Sequence, residues 1–150
     1  MARLLIVDDL AFFRHMLRGI VSSAGHEIAG EADNGLKAVA QYRSLRPHLV
    51  LMDVMMPVMD GFTAARMIRR LDPAARFVIC TARTDESTVA EAMACGAADI
   101  VAKPFQESRL LQAIWRGLRD APPSAVPPID RQASPAEVGP ARPRPNTCGT

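Results

Sequence analysis

Short apolar runs alternate with longer segments of helical spacing along the first 120 residues. Runs such as Arg3 to Val7, Leu49 to Met52 and Phe77 to Cys80 are apolar at almost every position, which is typical of parallel strands buried on both faces. Between the runs, apolar residues recur three or four positions apart, as they do from Leu10 to Ala24, and this spacing predicts amphipathic helices. The pattern therefore predicts five strands that alternate with five helices.

Turn residues set several of the predicted boundaries. Gly25 ends the first helix, and Pro47 follows the second. The predicted strands are Arg3 to Val7, Glu27 to Ala32, Leu49 to Met52, Phe77 to Cys80 and Asp99 to Ala102. The predicted helices are Leu10 to Ala24, a second one that follows the Asn34–Gly35 turn and runs to about Arg46, Phe62 to Leu71, Thr84 to Cys95 and Gln106 to Arg119. This alternation predicts an α/β fold with a parallel sheet and a right-handed crossover at each step.

Polar residues stand where four of the predicted strands end: Asp8 and Asp9, Asp53, Thr81 and Lys103. Ligands of such sheets bind beyond the carboxyl ends of the strands, so we expect these side chains to share one edge. An adjacent pair of aspartates is by itself common on protein surfaces. The combination of the pair with the other three residues is what indicates a site.

Ionised carboxylates that cluster without a cation repel one another. Each like-charged pair at ~4 Å costs about 4 kcal/mol at an effective dielectric constant of about 20, so the cluster must raise its pKa values or bind a cation. Hard oxygen ligands of this kind suit Mg²⁺, which commonly binds one or two carboxylates together with phosphate oxygens. Asp8, Asp9 and Asp53 therefore predict a Mg²⁺ site.

The chain changes character near Ala121, since eight of its 12 prolines fall between Pro122 and Pro145. Residues 121–150 are predicted to be a disordered tail, and residues 1–120 a single domain. The composition is 49% hydrophobic and 23% charged with a formal net charge of +2, as in ordinary soluble domains. No apolar run approaches the roughly 20 residues that span a bilayer, and no secretory leader is evident. We expect a cytoplasmic protein without membrane insertion and without direct nucleic-acid binding.

Five segments together resemble one family: IVDD at 6–9, GEADNG at 30–35, LMDVMMPVMDG at 51–61, TAR at 81–83 and KPF at 103–105. The sequence resembles the receiver domains of two-component response regulators, particularly the chemotaxis-type single-domain proteins. The resemblance covers residues 1–120. It implies a flavodoxin-like, doubly wound sheet of five parallel strands in the order 2-1-3-4-5.

The resemblance also implies how Mg²⁺ and the phosphoryl group are held. Asp53 is then the phosphoacceptor, charged by a histidine kinase or a histidine phosphotransfer protein. Asp9, Asp53 and the backbone carbonyl of Met55 would bind Mg²⁺ directly, and Asp8 would reach it through water. Thr81 and Lys103 would each bind one phosphoryl oxygen.

Two further features follow from the resemblance, and two residues depart from it. Thr81 would act as a switch residue, and the Lys103–Pro104 peptide would be cis. The family often carries an aromatic switch residue where Ile100 stands; this stiff, β-branched side chain is expected to stay buried in both signalling states or to move little. Met55 replaces a residue that is often polar, which predicts slow loss of the phosphoryl group.

The predicted function is a stand-alone switch that acts on a downstream output protein, with only weak self-dephosphorylation, as a monomer or a weak phosphorylation-dependent dimer. One alternative is a hydrolase of the haloacid dehalogenase type, which also uses an aspartate nucleophile and Mg²⁺. Its second acid, two residues after the nucleophile, is replaced by Met55. The other alternative is a docking module that works without phosphorylation, against which the complete set of polar strand-end residues argues.

Overall fold

The computed structural model describes residues 1–119. The strands are β1 (Arg3–Val7), β2 (Glu27–Ala32), β3 (Leu49–Asp53), β4 (Phe77–Thr81) and β5 (Asp99–Ala102). The helices are α1 (Ala11–Ser23), α2 (Gly35–Leu45), α3 (Gly61–Leu71), α4 (Glu86–Ala94) and α5 (Glu107–Arg119). The predicted disordered tail, residues 121–150, lies outside the described residues.

All strand pairs are parallel, and the sheet order is β2-β1-β3-β4-β5. The predicted fold class and strand order are thus confirmed. The strand ends are level across the sheet, since Val7 pairs with Met52, Asp53 with Cys80 and Thr81 with Ala102. The residues that follow β1, end β3 and β4, and follow β5 therefore emerge at one edge, which we call the carboxyl edge.

Strand burial differs between the centre and the sides of the sheet. Every residue of β3 and β4 is buried, whereas β2 and β5 each have only one buried residue. The expectation that every strand is a continuous apolar run holds for the central strands and was wrong for the outer two. These strands lie at the sides of the sheet, where fewer neighbours cover them, and they carry charged residues such as Glu31 and Asp99.

Alternation along each strand divides the core into two layers. Leu5, Val50 and Ile79 face α2, α3 and α4, while Leu4, Leu51 and Val78 face α1 and α5. Ile100 packs against the first layer but is only partly buried. The expectation that Ile100 is a buried core residue was therefore wrong, because β5 is an outer strand. No helix among the described residues is long and apolar enough to cross a membrane.

Aspartate caps explain where two of the helices start. The Asp60 carboxylate accepts a hydrogen bond from the Thr63 amide at 2.7 Å, and Asp85 accepts one from Thr88 at 3.2 Å. Such caps satisfy amides that have no partner within the helix. Helix α4 consequently begins after Asp85, two residues later than the apolar spacing predicted.

Two arginines lie at the amino edge of the sheet, which is opposite the carboxyl edge. The guanidinium of Arg3 donates to the carbonyl of Leu45, the last residue of α2, at 2.9 Å. Arg76, which precedes β4, donates to the carbonyl of Leu118 in the last turn of α5 at 2.8 Å. Each contact places positive charge at the negative end of a helix dipole and ties that helix end to the start of a strand.

Candidate functional site

Three carboxylates meet at the carboxyl edge. Asp8 directly follows β1 and is fully buried, Asp53 is the last residue of β3 and only 4% exposed, and Asp9 is the most accessible of the three. One oxygen from each carboxylate can be chosen so that all three lie within 4.8 Å of one another. The structure thus brings together the three acids that the sequence proposed as metal ligands.

Lys103 supplies the positive charge of the cluster. Its Nζ lies 2.6 Å from Asp8 Oδ2 and 3.3 Å from Asp53 Oδ1, and its side chain is only 7% exposed. The backbone is fixed next to β4, because the Lys103 amide donates to the carbonyl of Thr81 at 2.9 Å. With three carboxylates and one ammonium, the cluster retains an excess of negative charge when its groups are ionised.

Burial and this excess of negative charge both affect the pKa of Asp53. Burial first, and then the charge of Asp8, raise the pKa of Asp53 from 3.8 to about 6. The ammonium of Lys103 and the Val54 amide, which donates to Asp53 Oδ1 at 2.8 Å, act in the opposite direction. Desolvation and like charge therefore outweigh the two favourable contacts at this carboxyl group.

Asp8 is held by several contacts that fix the loop after β1. Its Oδ1 accepts a hydrogen bond from the Leu10 amide at 3.0 Å, and its own amide donates to the Ala32 carbonyl at 3.1 Å. Arg14 of α1 donates to the Asp8 carbonyl at 2.7 Å, and its Nε lies 3.3 Å from the Glu31 carboxylate. Sequence reasoning did not identify Arg14. Its position one turn into the helix after the acidic pair was the available signal.

Thr81 belongs to β4, which neighbours β3 on the side away from β1. It is the last residue of β4 and fully buried. Its Oγ1 accepts a hydrogen bond from the Arg83 amide at 3.0 Å, which leaves the hydroxyl proton for an oxygen that enters the site. Thr81 follows Cys80, the register partner of Asp53, so Thr81 and Asp53 lie at the ends of adjacent strands.

The loop between β3 and α3 directly follows Asp53. Met55 is 57% exposed, and its Sδ lies 4.0 Å from the guanidinium of Arg83. Gly61, the first residue of α3, does not have a positive φ. Its role is close approach: its amide donates to the Val54 carbonyl at 2.9 Å, and a Cβ there would collide with the Asp53 carbonyl oxygen.

Two backbone features flank this region. Val58 has φ of 71°, a left-handed conformation that is rare and strained for a β-branched residue. The Lys103–Pro104 peptide bond is cis in the structure. The strained position in this loop is thus a valine rather than a glycine, which the sequence pattern did not reveal.

Phe13 of α1 is a second residue that sequence reasoning missed, since its spacing indicated only helix packing. Its ring centre lies 4.2 Å from Lys103 Nζ. The signal was the aromatic pair placed four residues after the acidic pair. Any account of how Lys103 is positioned must therefore include this ring.

The donor set fits a small divalent cation. The three acids offer hard oxygen ligands in a cluster with excess negative charge. After burial, the charge of Asp8 contributes to the raised pKa of Asp53, and such a cation would relieve this repulsion. Mg²⁺ prefers this kind of ligand and keeps several waters of its own. The residues present are thus compatible with the Mg²⁺ that the sequence predicted.

Comparison with known proteins places the chain in a family. A family model described as response regulator receiver domain matches residues 4–115. The chemotaxis protein CheY of Thermotoga maritima is 47% identical over 112 residues, which cover 75% of this chain and 93% of that protein. CheY of Bacillus subtilis is 46% identical over 116 residues, covering 77% and 97%.

Solved structures agree with this assignment. A CheX–CheY–BeF3–Mg²⁺ complex from Borrelia burgdorferi contains a chain that matches with a TM-score of 0.73 at 32% identity, covering 75% of this chain and 85% of that chain. The family model, the sequence relatives and the solved structure all match the same part of the chain. The chain therefore belongs to the response regulator receiver family and is of the chemotaxis type.

Proposed function

We propose that this receiver is a phosphoacceptor switch that acts in the cytoplasm. Asp53 accepts a phosphoryl group from a histidine of a kinase or phosphotransfer protein in a Mg²⁺-dependent step, and the product has altered affinity for an output protein. The observation that carries the proposal is the setting of Asp53: a carboxylate 4% exposed, 3.3 Å from an ammonium group and clustered with two further acids. The Borrelia relative, solved with BeF3 and Mg²⁺, supports the same chemistry.

The nucleophile is one oxygen of the Asp53 carboxylate. Because the Val54 amide and Lys103 hold Oδ1, attack by Oδ2 leaves these contacts in place. The bond between phosphorus and the donor nitrogen breaks, the bond between phosphorus and the aspartate oxygen forms, and the departing imidazole takes up a proton. The product is an acyl phosphate.

The remaining residues of the site stabilise charge on the phosphoryl oxygens, which is the main requirement of such transfers. Lys103 offers its ammonium and Thr81 its hydroxyl proton to different oxygens. Asp9, Asp53 and the Met55 carbonyl would bind Mg²⁺ directly, with Asp8 acting through water. When bound, Mg²⁺ would add positive charge next to the phosphoryl oxygens and relieve the repulsion between the acids.

A small phosphodonor tests this proposal without a partner protein. Incubation with acetyl phosphate and Mg²⁺ should add one hydroxylamine-labile phosphoryl group, read by intact-protein mass spectrometry. Asp53→Asn should remain unlabelled, whereas Asp33→Asn, which alters an exposed aspartate following β2, should be labelled like wild type. Equal labelling of Asp53→Asn and wild type would contradict the assignment of the phosphoacceptor.

Turnover separates a switch from a hydrolase. A switch should keep its phosphoryl group as a detectable phosphoprotein and release phosphate from added phosphate esters no faster than Asp53→Asn does. Sustained release of phosphate that depends on Asp53 would indicate a hydrolase instead. A phosphotransfer profile against the histidine kinases of the source organism would then identify the donor.

A further inference from the structure

The contact between Phe13 and Lys103 has the geometry of a cation–π interaction. Lys103 Nζ lies 4.2 Å from the centre of the ring, well inside the ~6 Å within which an ammonium is attracted to an aromatic face. The Lys103 side chain is almost fully buried, so water screens this attraction weakly. The ring is therefore a real electrostatic partner of the ammonium group.

Neighbouring aromatic residues fix the ring. Phe105, two residues after Lys103 and itself buried, packs edge-to-face on Phe13 with ring centres 5.7 Å apart and planes at 76°. Phe12 packs on Phe13 at 5.3 Å and 72°. Such geometries are the favoured ones for aromatic pairs. Phe13 thus joins α1 to the segment that carries Lys103.

The three described contacts of the ammonium differ in what competes for them. A cation bound by the acids would compete with Lys103 for Asp8 and Asp53, but it would not compete for the ring face of Phe13. A lysine side chain has much rotamer freedom, so an ammonium released by both carboxylates needs another partner to stay aimed at the site.

We infer that Phe13 is a positioning residue of the proposed phosphoryl transfer: its ring face keeps the Lys103 ammonium directed at the phosphoryl group when the carboxylates are engaged by Mg²⁺. The inference rests on the proposed function and deepens it. The ring touches Lys103 and acts through it, so its removal should weaken the binding of a phosphoryl group without removing any metal ligand.

Beryllofluoride affinity at saturating Mg²⁺, measured by calorimetry, tests this role. Phe13→Leu should bind about five-fold more weakly or worse, the effect of losing one partly buried cation–π contact. Pentafluorophenylalanine incorporated at position 13 keeps the shape of the ring but reverses the charge of its face, and it should weaken binding similarly. Trp115→Leu, which alters an exposed aromatic residue of α5, should bind like wild type, and so should the conservative variant Phe13→Tyr.

The NMR spectrum of the lysine side chains provides a readout that is independent of phosphoryl chemistry. The chain has only two lysines, Lys37 and Lys103, so in protein labelled with ¹³C-lysine the two ε-methylene signals are easily assigned. The ring should shift the Lys103 signal upfield, and Phe13→Leu should return it toward that of the exposed Lys37.

The outcomes separate the inference from the proposed function. If wild type fails to bind beryllofluoride, both the inference and the proposed function are contradicted. If wild type binds and the fluorinated protein binds equally well, the inference alone is overturned, even if Phe13→Leu is weaker, because packing would then explain the loss. An unchanged Lys103 signal in Phe13→Leu would overturn it as well.

Discussion

The charge on Asp53 should destabilise the metal-free fold, so Asp53→Asn should stabilise it. The pKa of this carboxyl rises from 3.8 to about 6, a shift of about 2 units. At about 1.4 kcal/mol per unit, keeping the group ionised costs about 3 kcal/mol at neutral pH. Asparagine can still accept the hydrogen bond from Val54, and Lys103 keeps its 2.6 Å contact with Asp8. Because Lys103 loses its second partner, we expect a net gain of about 1–3 kcal/mol.

The pH dependence gives the sign of the effect. A raised native pKa means that the folded state binds the proton more tightly than the unfolded state. The contribution of Asp53 to wild-type stability is therefore fully present below its unfolded pKa of 3.8 and is lost as pH rises through about 6. The advantage of Asp53→Asn should grow between about pH 4 and pH 6.5 and stay constant above.

Urea unfolding in EDTA at several pH values measures this difference. Asp33→Asn is the matched control, because Asp33 follows β2, is 48% exposed and pairs with Lys37; its effect should stay within about 0.5 kcal/mol. Saturating Mg²⁺ should stabilise wild type more than Asp53→Asn, since ligands stabilise the state that binds them. If Asp53→Asn were less stable than wild type at neutral pH in EDTA, the argument from burial and repulsion would be refuted.

Three further variants test other residues. Val58→Gly should raise the free energy of unfolding by up to about 1 kcal/mol in denaturant titration, because φ of 71° strains valine and the exposed side chain packs little; unchanged or lower stability would count against strain. Met55→Asn should lose its phosphoryl group about two- to ten-fold faster than wild type, followed by mass spectrometry, since an amide can hold the attacking water by a hydrogen bond of ~0.5–1.5 kcal/mol; equal rates would contradict this. Ile100→Ala should cost about 1–2 kcal/mol, less than a full core truncation, while beryllofluoride still changes output-partner affinity; loss of that change would make residue 100 the switch.

The sequence predicted most of the fold and the polar residues of the candidate site, and the reason is geometric. Parallel strands of similar length end together, so Asp8, Asp53, Thr81 and Lys103 could be assigned to one edge from their positions after apolar runs. Helix starts were less accurate, because an aspartate cap such as Asp85 can set a boundary where apolar spacing alone does not.

The contributions of α1 could not be derived in this way. Whether Phe13 meets Lys103 and Arg14 meets the Asp8 carbonyl depends on how the helix is rotated and tilted against the sheet, and spacing along the chain does not specify this. The same holds for Gly61, whose close approach to the Asp53 carbonyl is a property of the folded loop. The burial of Ile100 was overestimated because strand composition alone did not show how little covers β5.

The arginines at the amino edge have a consequence for how this domain can change over evolutionary time. Arg3 and Arg76 donate hydrogen bonds to carbonyl groups at helix ends and so connect these ends to strand starts at the edge remote from Asp53. The amino edge therefore adds stability, whereas the charge on Asp53 at the carboxyl edge lowers it. Substitutions at the carboxyl edge leave these arginine contacts intact, and substitutions that strengthen the amino edge leave the candidate site intact. Stability that the charges of the site cost can therefore be recovered at the amino edge without changing the site.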